Sequence, residues 1–179
     1  MAEVNTPPWW FSLENKIERK KLDYTLITRK QSINLPRKLL FTLQNILRKI
    51  HDNSITNVDL TNFDLGDYGA LAVISSLEKT QSLTYLNLTN IGMGDFSLKR
   101  LAIGLAKNRS LTSLICGQRH ITRNTHNNNL IGNAGLKAIS KSIIGHPTLT
   151  YLDICSDRIS DNGMEYMCLA LEDANCNNM

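Results

Sequence analysis

The residues of this 179-residue chain that could do chemistry are few and thinly grouped. Four cysteines, Cys116, Cys155, Cys168 and Cys176, stand 39, 13 and 8 residues apart. A redox pair or a zinc knuckle brings two sulfurs to one point by spacing them about two to four residues apart. This spacing fits neither, so reduced thiols in a cytosol-like compartment are expected. Cys155 follows Asp153 closely, but no histidine is placed to take its proton, and an inert thiol is the better reading. His120 and His126 lie six apart in an asparagine-rich stretch with no third ligand near, which argues against a metal. There is no phosphate-cradling glycine loop and no serine elbow. No catalytic residue, cofactor or metal ligand is assigned. What remains is recognition through hydrogen bonds and aromatic surface.

The elements that would position such groups come from an internal repeat. ITNVDLTNFDLGDYGALAVISSLEKTQS from residue 55 overlays LTYLNLTNIGMGDFSLKRLAIGLAKNRS from residue 83, and LTSLIC starts a third unit at 111. The period is 28 residues. A fourth unit, LTYLDICSDRISDNGMEYMCLALE, begins at 149, so the third carries ten extra residues, placed within 118–130. Each unit opens with apolar residues at positions one, four and six: Ile55, Val58, Leu60; Leu83, Leu86, Leu88; Leu111, Leu114, Cys116; Leu149, Leu152, Ile154. Alternation at positions four and six is the period of a strand with one buried face.

An apolar anchor follows (Leu65, Met93, Ile131, Ile159), and two residues on stands Asp67, Asp95, Asn133 or Asp161. Such side chains satisfy free N–H groups in a helix's first turn, so each is read as the N-cap of its own helix. Gly69, Ser97, Gly135 and Gly163 come next and suit close helix–strand approach. Apolar residues then recur on one helical face: Ala70, Val73, Leu77; Leu98, Leu101, Leu105; Leu136, Ile139, Ile143; Met164, Met167, Leu171. Strand, helix, strand in succession predicts a parallel sheet, and units that cannot bury their faces alone must stack.

LTYLNLTNIGMGDFSLKRLAIGLAKNRS resembles the ribonuclease-inhibitor-like class of leucine-rich repeats, through its LxxLxL strand and long helical half. The resemblance covers roughly residues 55–172. It implies an α/β solenoid, a short horseshoe with parallel strands on the concave face and helices on the convex one. It also implies a protein partner. The family's usual asparagine position, the ninth, holds Phe63, Ile91, Arg119 and Asp157 here, and Asn62 and Asn90 come one residue early. Apolar packing is therefore expected in place of an inter-repeat hydrogen-bond ladder.

The remaining segments are read as an extended lead-in (1–22), an N-terminal cap (23–54), four repeats (55–172) and a polar tail (173–179). In the cap, 23–28 suits a strand. PRKLLFTLQNILRKI (36–50) suits a helix with Pro36 in its first turn and a stripe of Leu39, Leu40, Leu43, Ile46, Leu47 and Ile50. Trp9 and Trp10 are expected to pack on this cap, with anchoring of a partner as the alternative. Residues 16–49 carry ten basic and two acidic residues, whereas 55–172 carry ten of each. The basic excess reads as a solvated cap face, with nucleic-acid or acidic-membrane binding as the alternative. No Sec-type signal pattern opens the chain, and no apolar run reaches the roughly 18 residues that span a bilayer. A cytoplasmic setting is expected. An AT-rich composition and the repeat class also suit a bacterial effector delivered to a host cell.

Side chains between the buried strand positions point away from the helices. They are Asn57, Asp59, Thr61; Tyr85, Asn87, Thr89; Ser113, Ile115, Gly117; and Tyr151, Asp153, Cys155. Tyrosine joins apolar area to a hydrogen bond, and Ile115 is expected as an exposed contact. Four strands about 4.8 Å apart make a face of only ~200 Å², against the about 800 Å² per side of a stable interface. Flanking loops must add to it, and Arg119, His120 and Arg123 of the inserted stretch are the natural additions. The reading is an adaptor or inhibitor, not an enzyme, that binds one protein through this face and the 118–130 loop and is otherwise a monomer.

Overall fold

The computed structural model describes residues 36–117, 128–156 and 158–176. The proposed strand at 23–28, Trp9, Trp10, and most of the basic stretch and of the 118–130 loop lie outside these. The described elements are α1 (Arg37–His51), β1 (Asn57–Asp59), α2 (Gly66–Leu77), β2 (Tyr85–Asn87), α3 (Asp95–Lys107), β3 (Ser113–Ile115), α4 (Asn133–Ile143), β4 (Tyr151–Asp153) and α5 (Asp161–Cys176).

The four strands form one parallel sheet in chain order. Register follows the repeat: Asn57 pairs with Tyr85, Tyr85 with Ser113, and Ser113 with Tyr151. Each helix packs on the next in chain order, α1 on α2 through α4 on α5. This is a mixed α/β, leucine-rich-repeat-like arrangement of strand–helix units. Val58, Leu60, Leu86, Leu88 and Leu114 meet Ala70, Val73, Leu98, Leu101, Leu136 and Ile139 in one continuous core. α1 closes the first unit with Leu43, Leu47 and Ile50, all fully buried, while Leu39 and Leu40 are only half covered. Each such side chain contributes roughly 1.5–3 kcal/mol by leaving water.

The expected N-caps are displaced by one unit. No side-chain bond caps the start of α2, α3 or α4 from within its own unit. Asp67 instead reaches forward: its Oδ1 accepts the N–H of Gly94 at 2.8 Å, the N–H of Ser97 at 3.3 Å and the Ser97 hydroxyl. Asp95 Oδ1 accepts the N–H groups of Gly132 at 2.7 Å and Gly135 at 3.0 Å. Asn133 Oδ1 accepts the Ser160 N–H at 3.0 Å. A helix start needs an acceptor whichever chain segment supplies it, and here the neighbouring helix is closer than the residue's own. This accounts for Gly135: a Cβ there would stand 2.6 Å from Asp95 Oδ1.

Phe63 and Ile91 pack against the core as the expected apolar substitutes, but the third unit carries inter-repeat hydrogen bonds that the apolar reading did not provide for. Asn129, fully buried, donates from Nδ2 to the carbonyls of Leu88 and Cys116, both at 2.7 Å, and accepts from Ile91 and Met93 N–H, both at 3.1 Å. Counted back from the helix, Asn129 falls where Ile91 and Phe63 fall. The third unit thus has an asparagine at that position, and the extra residues precede it. Asn62 and Asn90 do other work. They take φ of 62° and 52°, left-handed values that asparagine tolerates and that turn the chain off the strand, and Asn90 Nδ2 donates to Asn62 Oδ1 at 3.1 Å.

A ladder of such bonds runs through the turns before the strands. Thr80, Asn108 and His146 occupy one position in successive units. Asn108 Oδ1 accepts the Ser110 and Leu111 N–H groups, and its Nδ2 donates to Leu77 O of the unit before. His146 Nδ1 accepts Thr148 and Leu149 N–H while Nε2 faces Leu105 O at 3.1 Å. Because Nδ1 only accepts, the ring proton sits on Nε2 and the ring is neutral. Burial, then the Leu105 carbonyl acting the other way and Arg109, leave its pKa below the ordinary 6.5.

Two outcomes follow. Asn129→Ala strands two buried N–H groups and two carbonyls, and should lower the free energy of unfolding by about 3 kcal/mol in urea with the slope unchanged. His146, with its folded pKa depressed, supports the fold fully above pH 6.5 and loses that support as pH falls below 6.5 and the unfolded ring takes a proton. The fall in melting temperature from pH 7 to pH 5 should be smaller in His146→Asn, which copies Asn108, than in the parent chain.

Candidate interaction surface

The face of the sheet turned from the helices holds two side-chain rows. Asn57, Tyr85, Ser113 and Tyr151 make one, and Asp59, Asn87, Ile115 and Asp153 the other. Tyr151 is 50% exposed, Asn57 and Asp59 are exposed, and Tyr85, Asn87, Ser113 and Asp153 are half covered. Two expected contacts are closed off. Ile115 is only 7% exposed, being flanked on both sides by paired strands with Asn87 and Asp153 beside it. Thr89 is 1% exposed because its turn folds it onto Asn87. Gly117 is buried as well, and a Cβ there would meet Asp153 Oδ1 at 2.9 Å. Arg119, His120 and Arg123 lie outside the described residues.

The polar groups of this face largely satisfy one another. Asp59 Oδ1 accepts the N–H and hydroxyl of Thr61 at 2.9 and 2.6 Å. One unit on, Asn87 Oδ1 accepts the same two groups of Thr89 at 3.0 and 2.6 Å. Asn87 Nδ2 also lies 3.4 Å from Asp59 Oδ2 and from the Tyr85 hydroxyl. These turns fix the side chains in advance, so a partner would find a surface already ordered.

Two flanking features escaped the sequence reading, although both repeat in it. Thr56, Thr84, Thr112 and Thr150 stand second in their units, and the last three hydroxyls donate to the carbonyl of the threonine before, at 3.2, 2.9 and 3.2 Å. On the opposite edge, where strands pass into helices, Tyr68 is 55% exposed, Phe96 50% and Leu130 46%. Tyr68 and Phe96 each follow the forward-reaching acid of their unit, and that shared place was the available signal. Exposed aromatics in line are the kind of surface that contacts proteins.

Among the described residues no three histidines, cysteines or acids converge on a metal-sized point. Cys116 is buried, and burial, with Asp153 adding to it, pushes its thiol well above the ordinary range. Cys155 and Cys168 are exposed and reduced. No helix among the described residues is long and apolar enough to cross a membrane.

No protein-family model matches the chain, and no curated protein matches it by sequence. Solved structures do match. One is the leiomodin-1 actin-binding site 2, at 21% identity and a TM-score of 0.63, covering 73% of this chain and 73% of that one. Another is the tropomodulin C-terminal domain from Caenorhabditis elegans, at 12% identity and a TM-score of 0.51, covering 76% of this chain and 95% of that one. At such identities the likeness is one of fold.

In a Cys176→Ser chain, Ellman's reagent should titrate two thiols, Cys155 and Cys168, while the protein is folded, and Cys116 only after guanidinium unfolding. Titration of all three at once in the native protein would contradict the packing around Cys116.

Proposed function

We propose that the chain is a protein-interaction module, an adaptor or inhibitor, that grips one target across the outer face of its sheet and the adjoining strand-to-helix edge. The observation that carries this reading is the placing of exposed aromatics on a pre-ordered frame. Tyr151 and Tyr85 share one row of the sheet, and Tyr68, Phe96 and Leu130 are exposed where strands pass into helices. The edge supplies area that four short strands lack. A horseshoe with this face on its concave side suits such a grip, and Arg119, His120 and Arg123 of the inserted stretch would extend it. Leiomodin-1's matching domain is an actin-binding site, which makes actin the first partner to try. Delivery as a bacterial effector into a host-cell cytoplasm is the setting the repeat class suggests.

The test is a pulldown together with actin co-sedimentation, using the parent chain, Tyr85→Ala with Tyr151→Ala, and a deletion of 119–128. Loss of two aromatic anchors should weaken retention of the partner about tenfold or more. The deletion should weaken it too. Recovery of the same protein at parental levels by both variants sinks this choice of surface. Retention that instead collapses with rising salt, and follows the exposed Arg37, Lys38, Arg48 and Lys49 of α1, would favour the nucleic-acid or acidic-membrane alternative.

A further inference from the structure

The far end of the stack is built like an interior junction but has nothing on it among the described residues. Core positions that are shut in the first units open toward the fourth, with Ile143 of the third already half covered. Ala70, Leu98 and Leu136 are at most 2% exposed, and their counterpart Met164 is 47% exposed. Leu77 and Leu105 are fully buried, and Leu171 is 51% exposed. Along the sheet, the N–H groups of Leu60, Leu88 and Cys116 each donate to a carbonyl of the next strand. Among the described residues no strand lies beyond β4 to take the corresponding Ile154 N–H.

Two charged groups on α5 make the end specific. Asp161 holds the position of Asp67, Asp95 and Asn133, each of which accepts N–H groups from the helix start of the following unit. Asp161 is exposed, and among the described residues no further helix start faces it. Glu172 follows Asp161 by eleven residues, as Glu78 follows Asp67. Glu78 pairs with Lys107 of the next helix at 2.9 Å. Residues 159–179 contain four acids and no lysine, arginine or histidine. The end therefore presents an apolar stripe, an acceptor aimed at a helix N-terminus, and a carboxylate where a neighbouring cation belongs.

We propose that this end is a second docking site, separate from the outer sheet face, for a partner protein that offers one more strand and helix. The partner's first-turn N–H groups bond Asp161, its apolar stripe covers Met164, Met167 and Leu171, and a lysine or arginine near the end of its helix meets Glu172. A basic amphipathic helix is the matching chemistry.

A fluorescein-labelled synthetic peptide of residues 83–108 is a suitable probe. It carries Gly94, Ser97 and Lys107, the groups that meet Asp67 and Glu78 inside the fold, and its net charge is +2. Titrated with the full chain and followed by anisotropy, it should bind saturably. Asp161→Ala should weaken binding about tenfold. Met164→Glu with Leu171→Glu should remove it, with the melting curve showing that this variant still folds, since both side chains are exposed. Lys107→Glu in the peptide should weaken binding several-fold, and Glu172→Lys in the chain should restore it. Tyr85→Ala should leave the titration unchanged, which separates this site from the sheet face. The proposal is overturned by no saturation at about 1 mM, or by equal binding to the Asp161→Ala and charged-stripe variants. Concentration-dependent self-association of the chain alone, lost in the charged-stripe variant, would overturn it in favour of a second copy.

Discussion

Backbone groups at the seam between units must find partners, and in this chain the partner comes from across the seam. A short strand–helix unit leaves N–H groups at the start of its helix and carbonyls at the end of its strand, and stacking removes water from both. Asp67, Asp95 and Asn133 reach forward to the next helix start, while Asn129, Asn108 and His146 reach back to the carbonyls of the unit before. Apolar burial supplies most of the attraction, but it is non-directional. The crossing hydrogen bonds fix how far each unit slides and turns on its neighbour.

The surface inherits that fixity. Because register repeats without slippage, Tyr85 and Tyr151 fall in one row and the threonines at the second positions fall in another. The Asp59–Thr61 and Asn87–Thr89 turns then spend the hydrogen-bonding capacity of the middle of the face on itself. Tyr151, Asn57 and Asp59 are the most exposed groups left in its two rows.

The strands and helices were legible because two periodicities, two and 3.6, sit at fixed phases within a 28-residue repeat. Leu86, Leu98 and Leu101 could be assigned to the core with no structure in hand. Asn129 was not legible, since alignment from the strand start put Arg119 in its place; only counting back from α4 recovers it. The capping acids had the right chemistry and the wrong helix, because local spacing cannot say whether a side chain turns to its own backbone or to the next unit's. Thr89 and Ile115 followed the alternation outward, yet turn formation and flanking strands covered them. Burial of that kind depends on three-dimensional neighbours that period-two reasoning leaves out.

Asn129 also determines what the chain between the third strand and α4 is free to become. Its Nδ2 reaches Cys116 O at 2.7 Å and Gly117 O at 3.3 Å, so the points where the chain leaves the stack and rejoins it are bonded to each other. The core thus holds both ends of the intervening stretch, and added length between ends so held costs only a slowly growing entropy. Such a clasp makes the third unit a natural graft point, where the sequence between Gly117 and Asn129 can be exchanged without disturbing the frame.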